Sequence, residues 1–187
     1  MSRRTVVALA ITMLLVAGCS TNEFAEVRLP VCGAEGASTT FLMAQAVPDA
    51  ALIPCIAPDA MPASWFAETM RIDSEGARLT FVGDVTSDAP QYLRGHVEVL
   101  FGETCDVTGA VSVPSDEQGA ERFEHVESVD GGYVGQRSYV FDGGCVVYRF
   151  DAPGEGWSRV VHDASTVWTF MPRGEVVGLR DVALDPP

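Results

Sequence analysis

The segment Ser138-Tyr-Val-Phe-Asp-Gly-Gly-Cys-Val-Val-Tyr-Arg-Phe150 sets the tightest constraint on the fold, because two alternating apolar runs meet at a pair of glycines. Glycine reaches positive φ without steric penalty, and a two-residue hairpin loop of the primed type needs such angles. With Gly143-Gly144 as the loop, Phe141 pairs with Val146 and Tyr139 with Tyr148 on one face. Val140 pairs with Val147 and Ser138 with Arg149 on the other. The aromatic set is the core face. A lone hairpin is marginal in water, so this one must belong to a larger antiparallel sheet whose apolar face is covered.

Further alternation supplies that sheet. Phe66, Met70 and Ile72 alternate with polar neighbours, Asp73-Ser-Glu-Gly76 reads as a turn, and Ala77, Leu79 and Phe81 lead away from it. If Ile72 faces Ala77, Met70 faces Leu79, but Glu68 then falls opposite Phe81, which suits a core face badly. Val97, Val99 and Phe101 form the next run, with His96 and Glu98 on the reverse side.

Helical signals flank the strands. Ser38-Thr39-Thr40 offers capping side chains before Phe41–Val47, and Pro48-Asp49 ends that run. Leu52-Ile-Pro-Cys55 is extended, since a residue before proline is pushed out of the α region. Trp157, Val160, Val161, Ala164, Val167 and Trp168 fall at helical spacing until Pro172, although Val160-Val161 and Val167-Trp168 would also suit a strand pair, and Glu175 to Val182 reads as a terminal helix before a frayed Asp185-Pro-Pro187. The fold class is therefore α+β: a meander of five or six antiparallel strands, covered by a C-terminal helix and a short N-terminal one.

Five cysteines punctuate the chain: Cys19, Cys32, Cys55, Cys105 and Cys145. Four of them allow three connectivities, and the pairs nearest in sequence, Cys32 with Cys55 and Cys105 with Cys145, close modest loops. Each would stabilise by roughly 3 to 4 kcal/mol on the chain-entropy model. Alternation places Cys145 away from the core face and Cys105 toward it, so the second bridge requires a bend near Gly102. No Cys-x-x-Cys pair accompanies these thiols, which disfavours a metal role.

The fifth cysteine has a different context. Met-Ser-Arg-Arg precedes an apolar run and then Val16-Ala17-Gly18-Cys19, the layout of a secretory signal. The uncharged run is too short for a helix that spans a bilayer, which takes roughly 20 residues. Val16-Ala17-Gly18-Cys19 resembles the lipobox of bacterial lipoproteins. That resemblance implies that Cys19 is acylated on sulfur, becomes the new N-terminus and holds the protein on the extracytoplasmic face of a cell membrane. Residues 1–18 would then be signal peptide, 19–30 a short tether and 31–187 a single extracytoplasmic domain. In addition, Phe41 to Cys55, Val113-Pro-Ser-Asp116 and Asp142-Gly-Gly-Cys145 through Phe150 resemble parts of uncharacterised extracytoplasmic domains of high-GC Gram-positive bacteria, which implies no catalytic activity.

Charge narrows the partners. All twelve basic residues are arginine. Without Arg3 and Arg4, ten face 26 carboxylates, a balance of about −16. So acidic a surface repels nucleic-acid phosphates and anionic headgroups, leaving the acyl chains as the route to the membrane and an unidentified envelope protein or ligand as the partner.

Catalytic signals are sparse. His96, His125 and His162 lie in separate segments, and the outward sides of their elements make His96 and His162 solvent-facing. His125 alternates with Glu127, a possible two-ligand start of a metal site. His162, Asp163 and Ser165 contain hydrolase residue types, but neighbours on a helix point about 100° apart and form no relay among themselves. Asp116-Glu117 is one carboxylate pair among many. No nucleotide, cofactor or metalloprotease fingerprint occurs. The expectation is a non-catalytic envelope binding module. The alternatives are an apolar-ligand carrier with a cavity of roughly 300 Å³ or more behind Trp157 and Trp168, and a hydrolase.

Overall fold

A computed structural model describes residues 28–83 and 95–184, the last six of these (179–184) as backbone. The signal segment, Cys19 and the terminal Asp185-Pro-Pro187 lie outside the described residues. The order of elements is α1 (Ala37–Ala46), β1 (Leu52–Ile56), β2 (Trp65–Asp73), β3 (Gly76–Gly83), β4 (Gly95–Gly102), β5 (Val111–Val113), β6 (Ala120–Ser128), β7 (Gly132–Phe141), β8 (Gly144–Pro153), α2 (Trp157–Val167), β9 (Trp168–Pro172) and α3 (Arg173–Leu184). Seven strands form an antiparallel sheet in the order β2-β3-β4-β8-β7-β6-β5, and β1 pairs with β9 in a second, two-stranded sheet. The α+β class holds. The strands beyond the expected five or six are short ones, Val111–Val113 and the β1–β9 pair, whose few residues show no clear period.

Two layers share one core. Leu79, Phe81, Val97, Val99, Phe101, Val146, Tyr148 and Phe150 project from one face of the large sheet. Against them pack Met43 of α1 and Val47 just after it, Ile53 of β1, Val160, Ala164 and Val167 of α2, Trp168 of β9 and Val176 of α3. Edge-to-face ring contacts fill the seam, among them Phe81 with Trp168 at 5.5 Å and Phe141 with Phe170 at 5.7 Å.

Where strand pairing departs from simple alternation, the cause is physical. Ile72 faces Ala77 and Met70 faces Leu79 as their spacing requires. A bulge between Ala67 and Thr69 then expels Glu68 from the ladder, so that Ala67 meets Phe81. The extra residue inverts the faces beyond it: Trp65 turns into the core, whereas Phe66, expected inside, is 47% exposed. The bulge spares the core a carboxylate and twists an edge strand.

In the β7–β8 hairpin the loop is Asp142-Gly143, not Gly143-Gly144. Phe141 faces Gly144, Tyr139 faces Val146 and Arg137 faces Tyr148. The register thus slips by two residues, which preserves the face of every side chain. Gly143 has φ 69°, and a Cβ there would stand 1.8 Å from the carbonyl oxygen of Asp49. The loop is pressed against the α1–β1 connection, where the Ala51 amide donates to the Asp142 carbonyl at 2.8 Å.

Two helix limits also move. α1 starts at Ala37 behind Gly36, so the threonine hydroxyls expected to cap it lie inside the helix and bond elsewhere: Thr40 donates to the Gly36 carbonyl and Thr39 to the Arg28 carbonyl at 2.8 Å. α2 ends at Val167, because Trp168–Pro172 pairs with Leu52–Ile56. No described helix is long and apolar enough to cross a membrane.

Candidate functional site

The four cysteines within the described residues are joined as Cys32–Cys55 and Cys105–Cys145. The first bridge ties residues 30–32 beside β1, where the Cys32 amide donates to the Ile56 carbonyl and the Ile56 amide to that of Pro30. The second acts on the opposite side of the molecule. Cys145 faces Gly102 across the β4–β8 ladder, the chain bends just after Gly102, and residues 103–110 are drawn over the sheet face on which no described helix packs. Gln136 Nε2 donates to the Asp106 carbonyl at 3.2 Å, and His125 Nδ1 lies 3.2 Å from the Gly109 carbonyl. This strap divides the outer face into two grooves.

The larger groove holds about 340 Å³ between the β2–β3 hairpin and the strap. Leu100 and Val147 contribute apolar surface, and Arg71, Arg78 and Arg149 bring three guanidinium groups. Glu98 serves two of them, at 3.2 Å from Arg149 and 3.4 Å from Arg78, while Arg71 lies 2.6 Å from Asp73. The Glu75 amide donates to Asp73, which with the Arg71 charge holds that carboxyl below its ordinary value. These pairs are solvent-exposed, so they orient side chains more than they stabilise the fold. The smaller groove, about 180 Å³, is lined by Asp106, His125, Gln136 and Arg149 among others.

The core side carries a second polar cluster at its β6–β7 end. Glu124 accepts from Arg122 and from Arg137 Nε at 2.9 Å through the same oxygen. Arg137, largely buried, stands 5.9 Å over the Phe150 ring and donates to Ser165 of α2. Tyr139 donates to Asp116 at 2.8 Å, and Arg122 lies 3.3 Å from the same carboxylate. Burial alone would raise Asp116, but the Tyr139 hydroxyl and the arginines hold it below its ordinary value. Its neighbour Glu117 is shifted the other way, upward, by burial and by the charge of Asp116. Burial also pushes the Tyr148 phenol well above its usual range. The cleft these groups share between the sheet and α2 is about 10 Å³, room for roughly one water molecule.

His96 and His162 are exposed. His125 is half-buried in the smaller groove, and its bonded partner there is a backbone carbonyl of the strap. A bulge between Val126 and Ser128 interrupts the alternation that would set Glu127 beside it. No group of three or more metal-ligating side chains occurs among the described residues. Ser165 donates to the Val161 carbonyl at 2.6 Å and accepts from Arg137, so its hydroxyl is engaged by backbone and arginine.

The groove arginines escaped the sequence reading because their grouping depends on register. Arg149, assigned to Ser138 by the Gly-Gly loop, instead faces Gln136 on one side and Glu98 on the other. The alternation of His96 and Glu98 to the outer face was the available signal. Comparison with known proteins finds no matching family model, no similar curated protein and no similar solved structure. Nothing in it points to an enzyme family.

Proposed function

We propose that this chain is a lipid-anchored, extracytoplasmic binding module, held at the membrane by acylated Cys19, that takes its partner on the outer face of the large sheet. One observation carries the reading: among the described residues a groove of about 340 Å³ opens on that face, whereas the cleft between the sheet and α2 holds about 10 Å³. The first value lies within the size range of ligand sites, and the second is far too small for an acyl chain. Leu100 and Val147 beside three arginines and the carboxylates of Asp73, Glu75 and Asp106 suit a partner that offers polar groups of both signs and some apolar surface.

The anchor is tested by Cys19→Ser, which should move the protein from the membrane fraction to the medium. Retention with an unchanged mass would refute the anchor. The binding face is tested with a photo-crosslinking residue at Arg78 in the groove or at Ser158 on α2, in cells that express the protein. An adduct of defined mass should form from position 78 alone, and equal adducts from both positions would remove the groove from consideration.

A further inference from the structure

The two disulfides hold their segments in different ways. Beside Cys32–Cys55 the backbone is tied as well: the Cys32 amide donates to the Ile56 carbonyl at 2.8 Å, the Ile56 amide to that of Pro30 at 2.7 Å, and Thr39 to that of Arg28. Beside Cys105–Cys145 it is not. Among the described residues, the strap 103–110 is bonded to the sheet by that bridge and by two exposed contacts at 3.2 Å, from Gln136 to the Asp106 carbonyl and between His125 and the Gly109 carbonyl. Exposed hydrogen bonds exchange readily for bonds to water, so the covalent link is what fixes the strap.

The strap in turn fixes the shape of the outer face. Cys145 and Val147 point toward that face and are nevertheless buried, at 1% and 6% exposure. Asp106, Val147 and Arg149 border both grooves, which makes the strap the partition between them. The two sulfurs of the bridge also differ in access. Cys145 lies beneath the strap, whereas Cys105 is half-buried and lines the larger groove, whose volume of about 340 Å³ admits a thiol-bearing side chain.

We propose that Cys105–Cys145 is a reducible latch, opened by a dithiol that reaches Cys105 through the larger groove, and that its opening joins the two grooves into one trough floored by Val147. One thiolate of the reductant attacks Cys105 Sγ and forms a mixed disulfide, while the original S–S bond breaks and its electron pair passes to Cys145, which takes up a proton. The second thiol of the reductant then attacks the reductant's own sulfur in the mixed disulfide, and Cys105 leaves as a thiolate and is protonated. Two electrons and two protons have reached the bridge, and the reductant departs as a disulfide. The strap is left with its two exposed hydrogen bonds, and a segment held in that way opens locally without unfolding of the whole domain. The inner face keeps its packing, because its core cluster includes neither cysteine.

The experiment uses the Cys19→Ser chain, in which the remaining four cysteines are paired and no free thiol enters the exchange. Brief treatment with dithiothreitol, followed by alkylation and peptide mapping, should show Cys105–Cys145 opened severalfold faster than Cys32–Cys55. In the protein reduced at that bridge, Val147 should take up a photogenerated carbene label severalfold more than in the oxidised protein, and amide protection in β4, β7 and β8 should persist. Cys105→Ala with Cys145→Ala should give the same labelling of Val147 with no reductant. Equal rates for the two bridges, faster opening of Cys32–Cys55, unchanged labelling of Val147 in either the reduced protein or the double variant, or loss of amide protection across the sheet would overturn the proposal. The readout needs neither lipid nor partner, so its failure leaves the binding reading standing, and failure of crosslinking at position 78 leaves the latch standing.

Discussion

The two faces of the large sheet are built from the same strands and obey different rules. On the inner face, aliphatic and aromatic side chains meet three helices and a second small sheet, and about one water-sized gap remains beside α2. On the outer face, none of the described helices arrives. A loop held by Cys105–Cys145 crosses it, and exposed ion pairs border a groove. Alternation gives both faces equal access to the sequence, so their difference arises from what the rest of the chain supplies to each. Every described helix is on one side, and among the described residues a covalent strap covers part of the outer face. Packing therefore carries stability on the inner face, whereas the outer face is free to vary its chemistry.

Substitution at a matched depth of strand should expose that contrast most strongly. Phe81 is 1% exposed and stacks edge-on against Trp168, so Phe81→Ala should lower unfolding free energy by about 3–5 kcal/mol in a denaturant titration. Leu100→Ala on the outer face should cost about 1 kcal/mol or less. Similar losses from the two would mean that the outer face is packed as a core.

Removing the strap's anchor comes next. Cys105→Ala with Cys145→Ala should cost about 2–4 kcal/mol, through the greater freedom of the unfolded chain. Amide exchange should accelerate across residues 103–110, and near-ultraviolet dichroism from the inner aromatic rings should persist. Loss of that dichroism would show that the disulfide organises both faces.

The smallest effect separates two neighbouring carboxylates at the border of the inner face. Asp116 has a lowered pKa, so its contribution is complete above the ordinary value of 3.8 and is lost as pH falls through the lower folded value. Glu117 has a raised pKa, so its charged form is a penalty above that raised value, relieved as pH falls toward 4.5. At pH 7 Asp116→Asn should destabilise by about 0.5 kcal/mol after allowance for solvent screening, and Glu117→Gln should stabilise by at most about 0.5 kcal/mol. Thermal unfolding at pH 7 and below pH 4 checks both, and same-sign shifts at neutral pH would contradict the opposed environments.

By itself the sequence determined the face of most strand residues, because side-chain direction alternates with a period of two whatever the partner. Val97, Val99 and Phe101 could only share a side, and Ile72 opposite Ala77 followed from a short turn. It also indicated which cysteines join, since both bridges close short loops. The tertiary structure decided matters in which local options are nearly equal in energy. Asp142-Gly143 and Gly143-Gly144 both make acceptable loops, and contact with Asp49 accompanies the first. Val167-Trp168 suits helix or strand, and a partner more than a hundred residues away, Ile56, accompanies the strand. The carboxylate Glu68 shows the same dependence. Alternation alone would bury it opposite Phe81, and the desolvation of a charge outweighs the loss of one ladder pair, so the strand bulges and everything before it changes sides.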